Sequence, residues 1–217
     1  MCGRYKIEER WQEYSKLAQF DWNDPPYPSE NPFKVHSDEV FPRNRMPIVR
    51  LNDDGKMLAE LRQWGFIMMI NGKTLDAEGK PKKVRRDVFN AMSEKLTSSF
   101  TWKWSFKERR CLIPMSSWDE WPETGAGKQR VRVSMPAERV FMAAGLYDAN
   151  VDPKTGEKVD VYTMCTVPPN EFLGTVHDRA PMVLLPEQYE AWLDGGEAAL
   201  ALVGVHPYAS AFQVQPV

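Results

Sequence analysis

Proline sets the length of the elements this chain can build. A proline lacks a backbone donor and interrupts helices and central strands, and 17 of them are scattered over 217 residues. That spacing favours many turns and short elements over a helical bundle. Eight tryptophans point the same way, because large flat side chains pack well on the face of a sheet.

In chain order, residues 6–20 place Ile7, Trp11, Tyr14 and Ala18 on one side at helical spacing, which predicts an amphipathic helix. Residues 21–32 read as a Pro/Asn/Asp-rich loop. Short strands are expected at 40–42 and 46–51, with Asn52-Asp53-Asp54-Gly55 as a hairpin turn. A return strand follows over 57–70, in which Gly65 marks a bulge or a close backbone approach. Residues 71–86 are polar, then strongly basic at Lys80, Lys82, Lys83, Arg85 and Arg86. A solvated loop and a phosphate-contacting rim are equally supported there. Asp87 as N-cap predicts a short helix over 88–96, with Asn90 in its first turn. Trp102, Trp104 and Phe106 alternate as a half-buried strand would, and at least two of the three are expected in the core. Further strands are expected at 111–114, 129–134, 140–146, 159–167 and 182–185, then a short helix over 186–193 and an edge strand over 212–217. The expected fold class is α+β. It is a single β-rich domain over residues 1–217, with curled, barrel-like antiparallel or mixed sheets and short peripheral helices.

The net charge of −2 gives the whole protein no attraction for nucleic acid, so such binding must come from a local basic patch. The cysteines, Cys2, Cys111 and Cys165, are odd in number and far apart. They suggest neither a disulfide framework nor a metal cage, and a reducing, cytoplasmic compartment fits best. Cys111 and Cys165 lie in apolar strands and read as buried and inert. Polar residues follow Met1 at once, without a signal peptide, and no apolar run approaches membrane-spanning length. No cofactor, metal or membrane is expected, and nothing demands more than a monomer.

Three places carry candidate chemistry. If Met1 is removed, Cys2 bears a thiol and a free α-amine. That amine has an ordinary pKa of about 7.7–8, so roughly a tenth of it is unprotonated at neutral pH. An aminothiol of this kind captures an aldehyde as a Schiff base, which the thiol closes into a thiazolidine. Trp118-Asp119-Glu120-Trp121 sets an acidic pair between two tryptophans. Either a carboxylate sits in a partly dry pocket with a raised pKa, or tryptophans point inward and acids outward; local reading favours the second. His177, flanked by Asp178 and Arg179, begins a strand, whereas His36 and His206 sit in Pro-rich loops and look incidental.

Taken together, several motifs resemble one family in order and spacing. They are Cys2-Gly3-Arg4-Tyr5, Asn90-Ala91 with Ser93-Glu94, Cys111-Leu112-Ile113-Pro114 leading to Glu120-Trp121, Ala144-Gly145-Leu146-Tyr147, and His177-Asp178-Arg179 with Pro181. Trp64-Gly65-Phe66-Ile67 and Pro47-Ile48-Val49-Arg50 also fit. The family is that of the SOS response-associated peptidases, which includes sensors of abasic sites in single-stranded DNA. The resemblance runs from Cys2 to about Leu193. It implies that Cys2, freed of Met1, forms a thiazolidine crosslink with the ring-opened abasic sugar. It further implies that Glu120 shuttles protons, His177 assists at the sugar and in reversal, and Asn90 orients Cys2. The implied partner is single-stranded DNA carrying abasic sites, contacted by Arg4, Arg43, Trp64, Lys83, Arg85, Arg86, Thr166 and Arg179. The family name records a peptidase activity, read as autocatalytic release of the residue before Cys2. If the chain is bacterial, nucleoid association is expected.

The chain also departs from the family pattern. Met92 stands where an arginine is usual, Glu39 replaces a DNA-facing polar residue, Met68 replaces a proline, and Asp119 adds a charge beside Glu120. These changes bear on DNA affinity more than on the covalent chemistry. Two alternatives stay open: a divergent, non-catalytic single-stranded DNA-binding module, and an N-terminal-nucleophile cysteine amidohydrolase.

Overall fold

The computed structural model describes residues 2–8, 14, 21–22, 38–125, 127–204 and 211–217. Most of the helix expected over 6–20, and of the loop over 21–32, falls outside these residues. In chain order the strands are β1 (Tyr5–Lys6), β2 (Asp21–Trp22), β3 (Glu39–Val40), β4 (Arg45–Leu51), β5 (Met57–Trp64), β6 (Phe66–Leu75), β7 (Pro81–Val88), β8 (Asn90–Met92) and β9 (Arg110–Met115). They continue as β10 (Ser117–Glu120), β11 (Glu123–Thr124), β12 (Gly127–Lys128), β13 (Val131–Ser134), β14 (Phe141–Val151), β15 (Lys158–Val167), β16 (Ala180–Pro181), β17 (Val183–Leu184) and β18 (Gln213–Pro216). The helices are short, and the α+β, β-rich reading holds.

Five strands close on themselves. β4 pairs β5, β5 runs parallel to β15, β15 pairs β14, β14 pairs β9, and β9 returns to β4 through Leu112 opposite Val49. Closure removes the exposed edges of an open sheet. Ile48, Leu112, Ile113, Leu146, Tyr162 and Met164 are fully buried there. At Gly145 an added Cβ would lie 2.8 Å from Ile113 Cδ1 and 2.9 Å from Cys111 Sγ. β9 and β14 reach their present packing because that position has no side chain.

A second sheet, ordered β18-β13-β10-β1-β3, lies beside this barrel, and its pairings are antiparallel. β18 is an edge strand, as expected over 212–217. β1 is not at an edge: Tyr5 pairs both Trp118 and Val40.

Several local expectations are corrected. The strand over 57–70 divides at Gly65, whose φ of 123° is a conformation that side chains rarely tolerate. The Gly65 N–H donates to Tyr162 O at 2.8 Å, so β5 stays in the barrel while β6 leaves it. Residues 71–86 are no loop, since β6 and β7 pair as a separate two-stranded ribbon. Its basic residues stand in adjacent pairs, Lys82-Lys83 and Arg85-Arg86, on both faces of an exposed hairpin, so an apolar period never showed. Residues 88–96 are not a helix. Asn90 lies in β8, drawn into parallel pairing with Met164 of β15, and only the 3-10 turn Ser93–Lys95 follows. Residues 102–106 are not a strand but lead into the helix Lys103–Glu108. Trp102 and Phe106, one helical turn apart, pack on the core while Trp104 faces solvent. Over 21–22 the chain forms β2, paired with β5, rather than loop. The helix over 186–193 appears as a 3-10 turn Pro186–Gln188 running into Tyr189–Asp194.

Candidate active site

The first strand carries Cys2 into the structure and pins it there. β1 lies between β3 and β10, and the Asp119 N–H donates to Arg4 O at 3.0 Å. Tyr5 is fully buried; its hydroxyl lies 2.7 Å from the Tyr162 hydroxyl. Its ring meets Trp64 edge-on, 5.1 Å between centroids. Trp64 in turn donates from Nε1 to Phe89 O at 2.8 Å, next to Asn90. One indole thus braces both the strand behind Cys2 and the strand bearing Asn90.

Cys2 is 1% exposed, and its thiol donates to Arg4 O at 3.4 Å. Burial pushes that thiol well above its ordinary pKa, and the nearby Glu120 carboxylate raises it further. Asn90 donates from Nδ2 to Cys2 O at 2.8 Å, which ties β8 to the terminus. Its other amide atom, Oδ1, is buried without a hydrogen-bond partner among the described residues, a costly arrangement unless a ligand or a changed terminus uses it.

Glu120 ends β10 and is 2% exposed. Burial pushes its carboxyl up to about 7, with Asp178 and Asp119 adding repulsion. The expectation that this acidic pair faces water is corrected: Asp119 and Glu120 are both buried. Alternation fails because both faces of β10 are covered.

His177 follows the helix Glu171–Gly174, whose N-cap Asn170 accepts from Leu173 N–H at 2.8 Å. The His177 N–H donates to Leu173 O at 3.0 Å, fixing the backbone where the loop turns back. His177 Nε2 lies 3.9 Å from Glu120 Oε2. Nδ1 accepts from the Arg179 N–H at 3.0 Å and also lies 2.7 Å from Asp178 Oδ1. Those two contacts demand opposite protonation at Nδ1. The Asp178 side chain is 85% exposed, so water competes for it, whereas the backbone donor is fixed. The imidazole is therefore neutral with its proton on Nε2, facing Glu120. Burial lowers its pKa, consistent with that state.

Arg179 staples this loop to the Asn90 segment. It grips Glu94 through both carboxylate oxygens, at 2.5 and 2.9 Å, and donates to Thr166 O at 2.5 Å. The pairing draws the Glu94 carboxyl down to about 2. Glu94 sits in the 3-10 turn directly after β8, and Thr166 pairs both Met92 and Pro181. Asn90 and Glu120 thus approach Cys2 from separate elements, and a third sets His177 beside Glu120.

The DNA-facing candidates divide. Trp64 is 0% exposed, which removes it as a base-stacking surface; it is a brace under the site. Thr166 is buried as well, and Arg179 is nearly so and already paired. Arg43 is bound to Asp87, and Arg85 to Asp87 and Asp152. Lys83 and Arg86 on β7 are exposed and have no ion-pair partner among the described residues. Arg4 lies over the Phe41 ring at 4.4 Å and the Trp121 ring at 5.4 Å, and pairs Glu39 at 3.5 Å. Arg130 and Arg132 were not singled out by sequence, yet both reach Asp119 and Glu39. Their register opposite Asp119 had no local signal beyond two arginines at strand spacing. Among the described residues no group of side chains is arranged to hold a metal, and no helix is long and apolar enough to cross a membrane.

A family model described as SOS response associated peptidase matches residues 1–217. Among similar proteins, abasic site processing protein YoqW of Bacillus subtilis is 27% identical over 201 residues, covering 89% of this chain and 80% of that one. Abasic site processing protein YedK of Escherichia coli is 26% identical, covering 100% of this chain and 92% of its own. A solved structure of a Bordetella bronchiseptica protein superposes with a TM-score of 0.73 at 20% identity, over 100% of this chain and 99% of that one.

Proposed function

The chain belongs to the SOS response associated peptidase family, and from that premise we propose that it captures abasic sites in single-stranded DNA covalently through Cys2. The observation that carries the proposal is the convergence of Asn90 and Glu120 on Cys2, with His177 beside Glu120. Relatives named abasic site processing proteins point to the same substrate.

The reaction begins with removal of Met1, because a peptide-bound nitrogen cannot form an imine. In the family this release is read as autocatalytic. The freed amine, and not the thiol, is the first nucleophile: a thiol held above its ordinary pKa carries almost no thiolate at neutral pH. Asn90 Oδ1, buried without a partner, suits the new N–H donors and would orient the amine. The amine adds to the aldehyde carbon of the ring-opened sugar, and the carbinolamine loses its hydroxyl as water to give the iminium. The thiol then adds to the iminium carbon while its proton passes to a base, and the thiazolidine closes. Glu120, with a pKa of about 7, is present in both forms at neutral pH. It can donate a proton to the departing water and accept one from the thiol. Neutral His177 assists proton transfer at the sugar and in reversal.

The test is to incubate the trimmed protein with single-stranded DNA carrying one abasic site and to look for a heat-stable adduct by gel and intact mass. Wild type is expected to gain the mass of the oligonucleotide less water, and Cys2→Ala is expected to gain nothing. Equal adduct from the two would overturn the proposal. Abasic-DNA binding without any adduct would favour the non-catalytic module, and glutamine hydrolysis would favour the amidohydrolase.

A further inference from the structure

Arg4, Arg130 and Arg132 come together beside the Cys2 strand around a single acidic side chain. Glu39 Oε1 lies 2.5 Å from Arg130 Nη2 and 3.5 Å from Arg132 Nη2, and Glu39 Oε2 lies 3.5 Å from Arg4 Nη1. Beneath them Asp119, fully buried, accepts from Arg130 at 2.6 Å and from Arg132 at 3.0 Å. Asp119 thereby fixes the orientation of two guanidinium groups, and Nη2 of each is shared between Asp119 and Glu39. The Glu39 side chain is 31% exposed and sits on the two-residue strand β3 at the end of its sheet, so it can swing out without unpairing the barrel. Three guanidinium groups preset around one anionic group form the geometry that recognises a tetrahedral phosphate as readily as a carboxylate.

We propose that Arg4, Arg130 and Arg132 form a binding site for a nucleic-acid phosphodiester next to Cys2, and that Glu39 fills this site in the free protein. The proposal rests on the reading of the chain as a DNA-binding member of its family, and it extends the binding surface to β13. Glu39 acts as an internal competitor. A backbone phosphate gains the three arginines only by displacing it, so binding is weaker than the arginines alone would give. With Glu39 neutral, the three arginines and Asp119 carry a net +2, which favours an incoming anion.

The test uses the full chain and an undamaged oligothymidine, which has no aldehyde and cannot be trapped covalently. Glu39→Gln keeps the side-chain size and removes the charge. It is expected to bind more tightly than wild type at 0.1 M salt, with a log–log salt slope steeper by about 0.9, the weight of one phosphate contact. Adding Arg130→Gln is expected to abolish the gain. Thermal melts check that each variant is folded. If the double variant does not fold, Glu39→Ala serves as a second single variant and is expected to tighten binding in the same way. Glu39→Gln affinity equal to or weaker than wild type overturns the proposal. So does a gain that persists without Arg130. Adduct formation on abasic DNA is measured in parallel, because its loss would refute the covalent reading while leaving a tighter Glu39→Gln complex as support for the phosphate site.

Discussion

Glu120→Gln should stabilise the fold, and only above mildly acidic pH. Glu120 is held at about 7 by burial, against an ordinary value of 4.5. Between those pH values the unfolded chain releases the proton and the folded chain keeps it. The native state then binds more protons than the unfolded state, so stability falls as pH rises, by about 1.4 kcal/mol per pH unit at most. The contribution is fully present below pH 4.5 and is lost as pH rises through 7. The whole effect is on the order of 3 kcal/mol. Glutamine does not titrate, so the difference in unfolding free energy between variant and wild type should open by about that amount from pH 4.5 to pH 8.5. Other shifted acids, Glu39, Glu94 and Asp152 among them, titrate in both proteins and cancel in the difference. Any hydrogen bond gained or lost by the amide shifts the difference by a constant. Urea melts at half-unit pH steps measure the curve. A difference that stays flat with pH would show that Glu120 is ionised in the native state near neutrality, and the proton-shuttle argument would fail with it.

Two further predictions concern the supports of the site. Trp64→Ala removes the indole that braces Tyr5 and the donor to Phe89 O. It is expected to cost about 3–5 kcal/mol in denaturant unfolding and to slow adduct formation at temperatures where the variant is still folded. Arg179→Lys cannot grip both oxygens of Glu94 and Thr166 O together. It is expected to cost about 1–2 kcal/mol, less than a fully buried pair because Glu94 is partly exposed. Faster amide exchange at residues 177–180 and a slower adduct rate should accompany it, with the salt dependence of DNA binding unchanged. In Arg179→Gln, which removes the charge, a salt slope smaller by about one unit would instead make Arg179 a direct phosphate contact.

What the sequence disclosed, and what it hid, follows from how local each signal is. The barrel strands were legible because β4, β9, β14 and β15 carry dense apolar runs bounded by turns such as Asn52-Asp53-Asp54-Gly55. The β6–β7 ribbon was not, since a hairpin exposed on both faces needs no apolar alternation. Trp102 and Phe106 satisfy both a strand and a helix over so short a stretch, and packing against Phe66 and Trp192 decides for the helix. Asn90 became a strand residue through parallel pairing with β15, a partner more than seventy positions away. Cys2, Asn90, Glu120 and His177 were identified as types in a familiar order. Their proximity depends on three separate registers that no local pattern encodes. The same holds for Asp119: its burial makes sense only once β13 brings Arg130 and Arg132 across to it.

The central place of β1 has a consequence for the life of the newly made polypeptide. Residues 2–6 leave the ribosome well before their neighbours Trp118 and Tyr162. Until those neighbours emerge the amino end is loose and open to a processing aminopeptidase. Afterwards β1 is locked between two strands, and Cys2 is closed to a bulky enzyme. If trimming is done in trans it is a co-translational event with a deadline, set by how quickly ribosomes deliver the second half of the protein. Slowing synthesis past residue 120 should therefore raise the fraction of molecules that start with cysteine, whereas a terminus trimmed by the folded protein itself would not respond to that delay.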